Sequence, residues 1–239
     1  MAKTVVHKAN TRGHADHGWL NAHHSFSFAG YHNPDRVHFG MLRVLNDDIV
    51  AQGMGFGKHP HDNMEIITIV LDGALEHKDS MGHTQAIHPN EVQVMSAGTG
   101  VFHSEYNHNR DKQVNLLQLW IFPDKRNVEP RYDQKLFPAE ERLNKLQKLV
   151  SSIDGNDEGL KIHQDARIYR TTLEAGKELT HTIQGSHHGV YAFVIDGSVT
   201  INGEQLEKRD AMGISAVEQL EIAAQADTDL LLIEVPMVA

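Results

Sequence analysis

The chain has 239 residues, 40% hydrophobic and 23% charged, and is long enough to fold as one large or two medium globular domains. Its formal net charge of -10 argues against a direct nucleic-acid or anionic-membrane partner, because both require a basic surface. It has no cysteine, which leaves His, Asp and Glu as the strong metal donors, and no apolar leader or spanning run, so we expect a cytoplasmic protein.

The first half predicts a series of short strands. The segment AHHSFSFAGY places Phe26 and Phe28 on one face of a half-buried strand. FGMLRVLNDDIV predicts a second strand that ends in a polar turn formed by Asn46, Asp47 and Asp48. Similar segments recur at roughly 8- to 12-residue spacing, which indicates an all-β sandwich or barrel. They are ALEHKDS, TQAIHP, EVQVMSA and NLLQLWIFP.

The run from Met64 to Val70 is apolar and rich in β-branched residues. It is followed by Asp72 and Gly73, a strong turn signal, so we predict a central strand of the sheet here. The tetrapeptide VLDG at 70–73 returns as VIDG at 194–197, which indicates that the two halves are copies of one unit.

Two segments carry metal-binding residue types at alternate positions. In GMGFGKHPHDNME, His59 and His61 share one face of an extended strand, and in MSAGTGVFHSEYN, His103 and Glu105 do the same. An isolated His-x-His pair is more often incidental in a chain with 18 histidines, but the two segments together favour a metal site. Glu65 has the same parity as His59 and His61, so spacing alone does not decide which carboxylate binds.

From Asp124 to Gly159 the composition becomes charged and contains prolines, which indicates a connection between halves. We place the boundary near residue 135 and predict a short helix after Pro138, where acidic residues fill the first turn. Strand patterns then return in LQKLVSS, IHQDARIYRTTL, GVYAFVIDGSVTING, AMGISA and DLLLIEVP.

The second copy lacks side chains to hold a metal. A shift of 124 residues (197 minus 73) moves the two histidines and Glu65 of the first copy onto Ile183, Gly185 and Gly189. None of these can ligate through a side chain. Nearby histidines lack the alternate-residue spacing; they are His181, His187 and His188.

The glycine, histidine and glutamate spacing of these segments resembles the two motifs of the cupin superfamily. More narrowly, HHSFSFAGYHNPD, GFGKHPHDNMEIITIVLDGALEHKDSMG and MSAGTGVFHSEYN resemble the pirin family. This resemblance implies an all-β bicupin of two face-to-face antiparallel β-barrels of the jelly-roll type, with short helices in the connection. The expected domains are a metal-binding cupin barrel over 1–134 and a cupin-like barrel without ligands over 135–239. One departure is that seven residues separate Glu65 from Gly73, where cupins commonly have six.

The resemblance to pirins implies that His59, His61, His103 and Glu105 bind the metal. Glu65 is then left either to orient a histidine by accepting its free ring N–H or to lie on the surface at a strand end. Three imidazoles and a carboxylate suit one divalent transition metal, with iron(II) as our first choice and Mn, Co, Ni, Cu or Zn also compatible.

Resemblance to bacterial pirins also implies quercetin 2,3-dioxygenase activity, in which O2 opens a flavonol ring and carbon monoxide leaves. Glu105 is the expected catalytic base that takes the proton of the flavonol 3-hydroxyl. Apolar side chains such as Phe26, Trp120 and Met95 more often pack in the core than contact a substrate. Some apolar residues at the open end of the barrel, its mouth, are nevertheless expected to hold the flat substrate. These residues would be Phe28, Phe56 and Met54. His77 is expected either in this pocket or on the surface beside a turn.

A function of another class stays open, because some pirins act as co-regulators through protein partners. The chain would then be a metal-bound redox-sensing regulatory protein without significant turnover, and oxidation of the metal would change its affinity for the partner. A purely structural metal is less favoured, because structural sites close with four ligands and have no entry path. In each case we expect a monomer.

Overall fold

The computed structural model describes residues 2–238, and strands dominate it. The first strands are β1 (Lys3–His7), β2 (Gly13–Asp16), β3 (Leu20–His24), β4 (Leu42–Val50), β5 (Gly55–His61), β6 (Glu65–Asp72), β7 (Leu75–Asp79), β8 (Thr84–Ile87), β9 (Glu91–Ser96), β10 (Val101–Asn107), β11 (Val114–Ile121) and β12 (Arg131–Leu136). They are followed by β13 (Gln147–Ser152), β14 (Leu160–Ile162), β15 (Arg167–Leu173), β16 (Glu178–Thr182), β17 (His188–Asp196), β18 (Ser198–Ile201), β19 (Glu204–Glu207), β20 (Ala211–Ser215), β21 (Gln219–Ala224) and β22 (Thr228–Pro236). Short 3-10 helices span Ala9–Thr11 and Ala139–Arg142.

These strands form the same pair of sheets twice, so the expectation of an all-β, duplicated chain is confirmed. In the first pair, a seven-stranded sheet has the order β12-β9-β6-β11-β4-β3-β2 and a four-stranded sheet has the order β5-β10-β7-β8. In the second pair, the orders are β1-β20-β17-β22-β15-β13-β14 and β16-β21-β18-β19. The predicted central strand is β6, which lies between β9 and β11.

Both copies of the VxDG turn need glycine at the last position, because of the backbone conformation and the close packing there. Gly73 and Gly197 have φ angles of +84° and +87°, a region that side chains with a Cβ rarely adopt. A Cβ at either position would also collide with the backbone of the facing strand, at Gln113 and at Asp227 respectively. The same tight turn therefore leads from the seven-stranded sheet into the four-stranded sheet in each half.

The two seven-stranded sheets share one apolar core. It joins Leu117 and Ile67 of the first sheet to Phe193 and Ile233 of the second in a single buried cluster. The edge strands strengthen the connection, because β1 at the start of the chain pairs with β20 of the second half. Burial of these large apolar faces is the main stabilising term of the fold.

Two polar segments depart from the predictions. The strand predicted over AHHSFSFAGY ends at His24, and the chain then turns, so that Phe26 enters the shared core while Phe28 contacts Trp120 at an edge-to-face angle of 86°. The helix predicted after Pro138 is the four-residue 3-10 helix Ala139–Arg142.

The predicted turn at Asn46, Asp47 and Asp48 is wrong, because all three residues lie inside β4, between β3 and β11. The strand continues because two of the side chains find partners on its two faces. Asn46 Oδ1 pairs with His24 Nδ1 at 2.9 Å, and Asp47 accepts from Arg12 at 3.1 Å. Local composition cannot show such partners, which come from distant parts of the chain.

Among residues 2–238, no helix is both long and apolar enough to cross a membrane.

Glu234 on β22, in the second half, is a fully buried carboxylate surrounded by hydrogen-bond donors. His181 Nε2 lies 2.9 Å from one carboxylate oxygen and His188 Nδ1 lies 2.9 Å from the other. The backbone N–H of Gln184 adds a bond of 2.8 Å. Burial disfavours the charge, but these hydrogen bonds outweigh that effect and lower the pKa of Glu234 to about 2.

We therefore expect Glu234→Gln to reduce the free energy of unfolding at pH 7 by about 3 kcal/mol, because one member of a buried network is removed. Because folding lowers the pKa of Glu234, its contribution is present above the ordinary value of 4.5 and is lost as the pH falls toward about 2. Urea unfolding at several pH values measures both effects.

The matched control is Glu204→Gln, which changes an exposed glutamate on β19. It should leave the free energy of unfolding within about 0.5 kcal/mol of the wild-type value. A Glu234→Gln variant that unfolds like the wild type at pH 7 would show that the network contributes no net stability.

Candidate metal centre

The antiparallel pairing of β5 and β10 brings three histidines together. His103 stands opposite His59, and His61 stands opposite Val101 on the same pair of strands. Because side chains alternate along a strand, His59 and His61 point to one face, and His103 joins them there. One ring nitrogen from each of the three histidines lies within 4.8 Å of the others. The ring centroids of His59 and His103 are 4.4 Å apart.

Glu105 lies on the same face of β10, but its carboxylate points differently. The register of β5 and β10 shifts between His103 and Glu105, so that Glu105 stands opposite Phe56. Its two oxygens accept from Gln118 Nε2 at 3.1 and 2.9 Å, and its carboxylate groups with His103 and His77 within 4.8 Å. It also lines the same cavity as His59 and His61. Glu105 is therefore at the edge of the histidine cluster, and Gln118 fixes its carboxylate.

The site holds the imidazoles of His61 and His103 in the neutral form that binds metals. Burial first, and then the neighbouring His103 and His59, lower the pKa of His61 to about 4. Burial first, and then His59 and His77, lower the pKa of His103 to about 3. A neutral imidazole keeps one nitrogen lone pair free, and that lone pair is what a metal ion requires.

The hydrogen bonds show which ring nitrogen of each histidine is free. His59 Nδ1 donates to the backbone oxygen of Gly57 at 2.8 Å, so its Nε2 is left as an acceptor. His103 Nε2 is sealed from solvent and has no hydrogen-bond partner among residues 2–238. An orphaned buried nitrogen is costly unless something binds it. These residues therefore fit a metal ion.

A second set of residues supports His103 from the side away from the cluster. His103 Nδ1 lies 3.5 Å from His77 Nδ1, and His77 Nε2 lies 3.0 Å from Asp79 Oδ2. With Asp79 accepting, His77 Nδ1 becomes an acceptor for His103, so the Nε2 of His103 is left free for an ion. Asp79 is fixed in turn by His83 Nδ1, 2.9 Å away on the outside of the sheet. Such support orients a ligand and raises its basicity.

His77 and Glu65 differ from both alternatives given for them. His77 is fully buried behind His103, and is therefore neither a pocket residue nor a surface residue. Glu65 is also buried, but its oxygen accepts from Ser96 Oγ at 2.7 Å and not from a histidine of the cluster. Burial raises the pKa of Glu65 to about 7, although the bond from Ser96 opposes the shift.

The cluster opens into a cavity of about 430 Å³ with aromatic walls. Its lining residues are Trp19, Phe28, Asn46, Asp48, Gly55, Phe56, Gly57, His59, His61, Glu105, Gln118 and Trp120. Phe28 and Phe56 are thus where the apolar mouth was expected. Met54 is not, because it is exposed outside the cavity. A second cavity of about 710 Å³ shares Trp19, Phe28 and Phe56 with the first.

Several residues of this site were missed in the sequence. Trp19, Asp48 and Gln118 come from segments that carry no motif, and only the folded sheets bring them to the cavity. His77 and Asp79 did carry a signal, because they repeat the alternate spacing of the ligand segments and lie on β7, the strand beside β10. A search for every alternating pair of metal-type or carboxylate residues would have found them.

Comparison with known proteins agrees with this geometry. Residues 5–121 match the family model described as pirin, and residues 149–235 match the one described as quercetinase C-terminal cupin domain. A quercetin 2,3-dioxygenase of Escherichia coli strain K12 is 43% identical over 233 residues, which cover 98% of this chain and 99% of that protein. A pirin-like protein of Caulobacter vibrioides is 40% identical over 222 residues, or 93% of this chain and 95% of the other.

A solved structure of the same kind contains a metal. The crystal structure of the bacterial pirin YhhW from Escherichia coli in complex with nickel(II) superposes with a TM-score of 0.93 at 42% identity. The match covers 99% of this chain and 100% of that one.

The lowered pKa values predict how the metal-free site responds to acid. An imidazole in water gains its proton near pH 6.5, but those of His61 and His103 should stay neutral down to about pH 5. NMR titration of the ring resonances of the metal-free protein measures this. Protonation of either ring near pH 6.5 would contradict the burial argument.

Removal of the support behind His103 should weaken metal binding. Asp79→Asn replaces an acceptor oxygen with an amide, so His77 loses its fixed tautomer, and we expect the metal affinity to fall by about 10- to 100-fold. Competition with a chelator measures the affinity for nickel(II).

The control is Glu76→Gln on the same strand, whose side chain pairs with Lys78 instead. That variant should bind nickel(II) as the wild type does. Equal affinities of Asp79→Asn and the wild type would show that Asp79 does not act on the site.

Proposed function

The chain belongs to the pirin family, and on this premise we propose that it is a metal-dependent dioxygenase of the quercetin 2,3-dioxygenase type. The observation that carries the proposal is the sealed, unpartnered Nε2 of His103, which converges with His59 and His61 at the wall of an aromatic cavity. A site with free ligand atoms beside a substrate-sized cavity is the arrangement that metal catalysis requires.

We assign His59, His61, His103 and Glu105 as the ligands of one divalent transition metal. Three neutral imidazoles and a carboxylate suit several first-row ions, of which iron(II) is our first choice. The nickel(II) complex of YhhW supports metal binding by this chain without deciding which metal is native to it. Elemental analysis of protein purified without added metal identifies that ion.

The charge of the ligand set favours an anionic substrate oxygen. One carboxylate against two positive charges leaves a net positive site, which stabilises the oxygen of a deprotonated flavonol hydroxyl. A metal held by these four residues would supply Lewis-acid activation of the substrate oxygen. The overall reaction places both atoms of O2 in the ring-opened product and releases one ring carbon as carbon monoxide.

Glu105 is the residue that takes the proton of that hydroxyl. Its carboxylate is buried at the cavity wall and accepts a hydrogen bond from Gln118 Nε2, which lines the same cavity. Gln118 cannot turn away easily, because its own oxygen accepts from Trp120 Nε1 at 3.1 Å. Glu105 is thereby fixed as a base within reach of the cavity.

The shape of the cavity suits a flat aromatic molecule. Trp19, Phe28, Phe56 and Trp120 form most of its wall, and His61 packs edge-on against Trp120 with ring centroids 4.9 Å apart. The adjoining second cavity gives room for a molecule with two ring systems, as a flavonol has. A dry, apolar wall also strengthens the hydrogen bond between Glu105 and the substrate.

The division into two barrels belongs to the same proposal. A bicupin with its boundary near residue 135 agrees with the two family models, which leave residues 122–148 between them.

We expect metal-loaded wild-type protein to consume oxygen when quercetin is added. His59→Ala should abolish turnover by removing a ligand, and Glu105→Gln should lower kcat by about 100-fold or more, because the base is lost. An oxygen electrode together with carbon monoxide detection measures both effects.

The control is His32→Ala, which removes an exposed histidine away from the cavity. It should keep full turnover. If Glu105→Gln and His59→Ala keep full turnover as well, the assigned mechanism is wrong.

A further inference from the structure

Asp48 is a buried acid on the wall of the metal cavity. Alternation along β4 sends it to the opposite face from Asp47, which accepts from Arg12 at 3.1 Å and from Arg209 at 2.9 Å. Asp48 instead lines the cavity together with His59 and Glu105. The two adjacent acids therefore differ in their surroundings. Asp47 is paired with two arginines, whereas the side chain of Asp48 has no partner from the described residues and lines the cavity.

The carboxyl of Asp48 carries an unmet hydrogen-bonding need. Only 5% of the residue is exposed, and its Oδ1 has no hydrogen-bond partner among residues 2–238. A buried polar atom without a partner costs about 1–3 kcal/mol, so an apolar residue here would stabilise the fold better. Burial first, and then Asp47 and Glu105, raise the pKa of Asp48 to about 8. A carboxyl oxygen can accept a hydrogen bond whether or not the group is protonated.

Two other polar side chains of this wall, those of Gln118 and Asn46, have hydrogen-bond partners within the protein. Gln118 joins Glu105 to Trp120, and Asn46 Oδ1 pairs with His24 Nδ1. In the described part of the chain, Asp48 is thus the cavity acid that neither belongs to the ligand set nor is satisfied by the protein.

We propose that Asp48 is a substrate-binding residue, whose cavity-lining carboxyl accepts a hydrogen bond from a substrate hydroxyl other than the one bound to the metal. This inference rests on the proposed function for the choice of substrate class, a flat polyphenol anchored at the metal through one oxygen. The aromatic walls hold such a molecule without fixing its rotation. A second polar anchor fixes it, and so selects substrates with a hydroxyl at the matching position.

The test measures binding without turnover. Nickel(II)-loaded protein without oxygen is titrated with quercetin, and with 3-hydroxyflavone, which has only the hydroxyl that the metal would take. Quenching of the fluorescence of the cavity tryptophans, Trp19 and Trp120, reports Kd. The variants are Asp48→Leu, which is similar in size and has no acceptor, and Asp48→Asn, which keeps a carbonyl oxygen. Thermal unfolding confirms that both variants fold.

We expect Asp48→Leu to weaken quercetin binding by about five- to tenfold, because a buried hydroxyl loses its acceptor. Asp48→Asn should stay within about twofold of the wild type, and neither variant should change binding of 3-hydroxyflavone. Unchanged quercetin binding by Asp48→Leu, or an equal loss for both compounds, overturns the proposal. Failure of the proposed function is seen separately, as absence of oxygen consumption by wild-type protein that binds quercetin.

Discussion

The pairing register of β5 and β10 is the constraint on which the site depends. It sets His59 directly opposite His103, so two imidazoles face each other across neighbouring strands with their ring centroids 4.4 Å apart. A slip of one residue would turn one of these rings to the other face of the sheet. The register shift after His103 then moves Glu105 out of line with the histidines and toward Gln118. One irregularity in one strand pair therefore separates a compact histidine cluster from a carboxylate at its edge.

The second half shows what the same sheets do without ligands. Its strand β21 has the position of β10, second in the four-stranded sheet. The inward residues of β10 include His103 and Glu105, whereas those of β21 are Leu220, Ile222 and Ala224. These apolar side chains join a closed core, so that half gains stability where the first half keeps polar groups around a cavity. The two copies thus use one architecture differently, because one fills this position with apolar side chains and the other keeps metal-binding residue types beside a cavity.

Alternating patterns were enough to predict the strands that carry the ligand candidates, because periodicity is a local property. Spacing predicted that His59 and His61 share one face of their strand and that His103 and Glu105 share one face of theirs. The two VxDG segments predicted the repeat. What escaped prediction depends on partners that are remote in the sequence. Asn46, Asp47 and Asp48 have the composition of a turn, yet they lie in a central strand, because Arg12 and His24 satisfy two of them. Local rules fail most often where a fold keeps polar groups for function.

The polar side chains around the cavity differ in how many of their hydrogen bonds are made within the protein. This difference indicates which of them position other residues and which are left to bind something else. Asp79 accepts from two histidines and from backbone N–H groups, which suits a residue that holds others in place. Gln118 is committed at both ends, so it transmits a fixed orientation to Glu105. His103 and Asp48 each keep a buried atom without a partner. A buried polar atom without a partner costs free energy, and we propose that a metal ion completes His103 and that a substrate hydroxyl completes the carboxyl of Asp48.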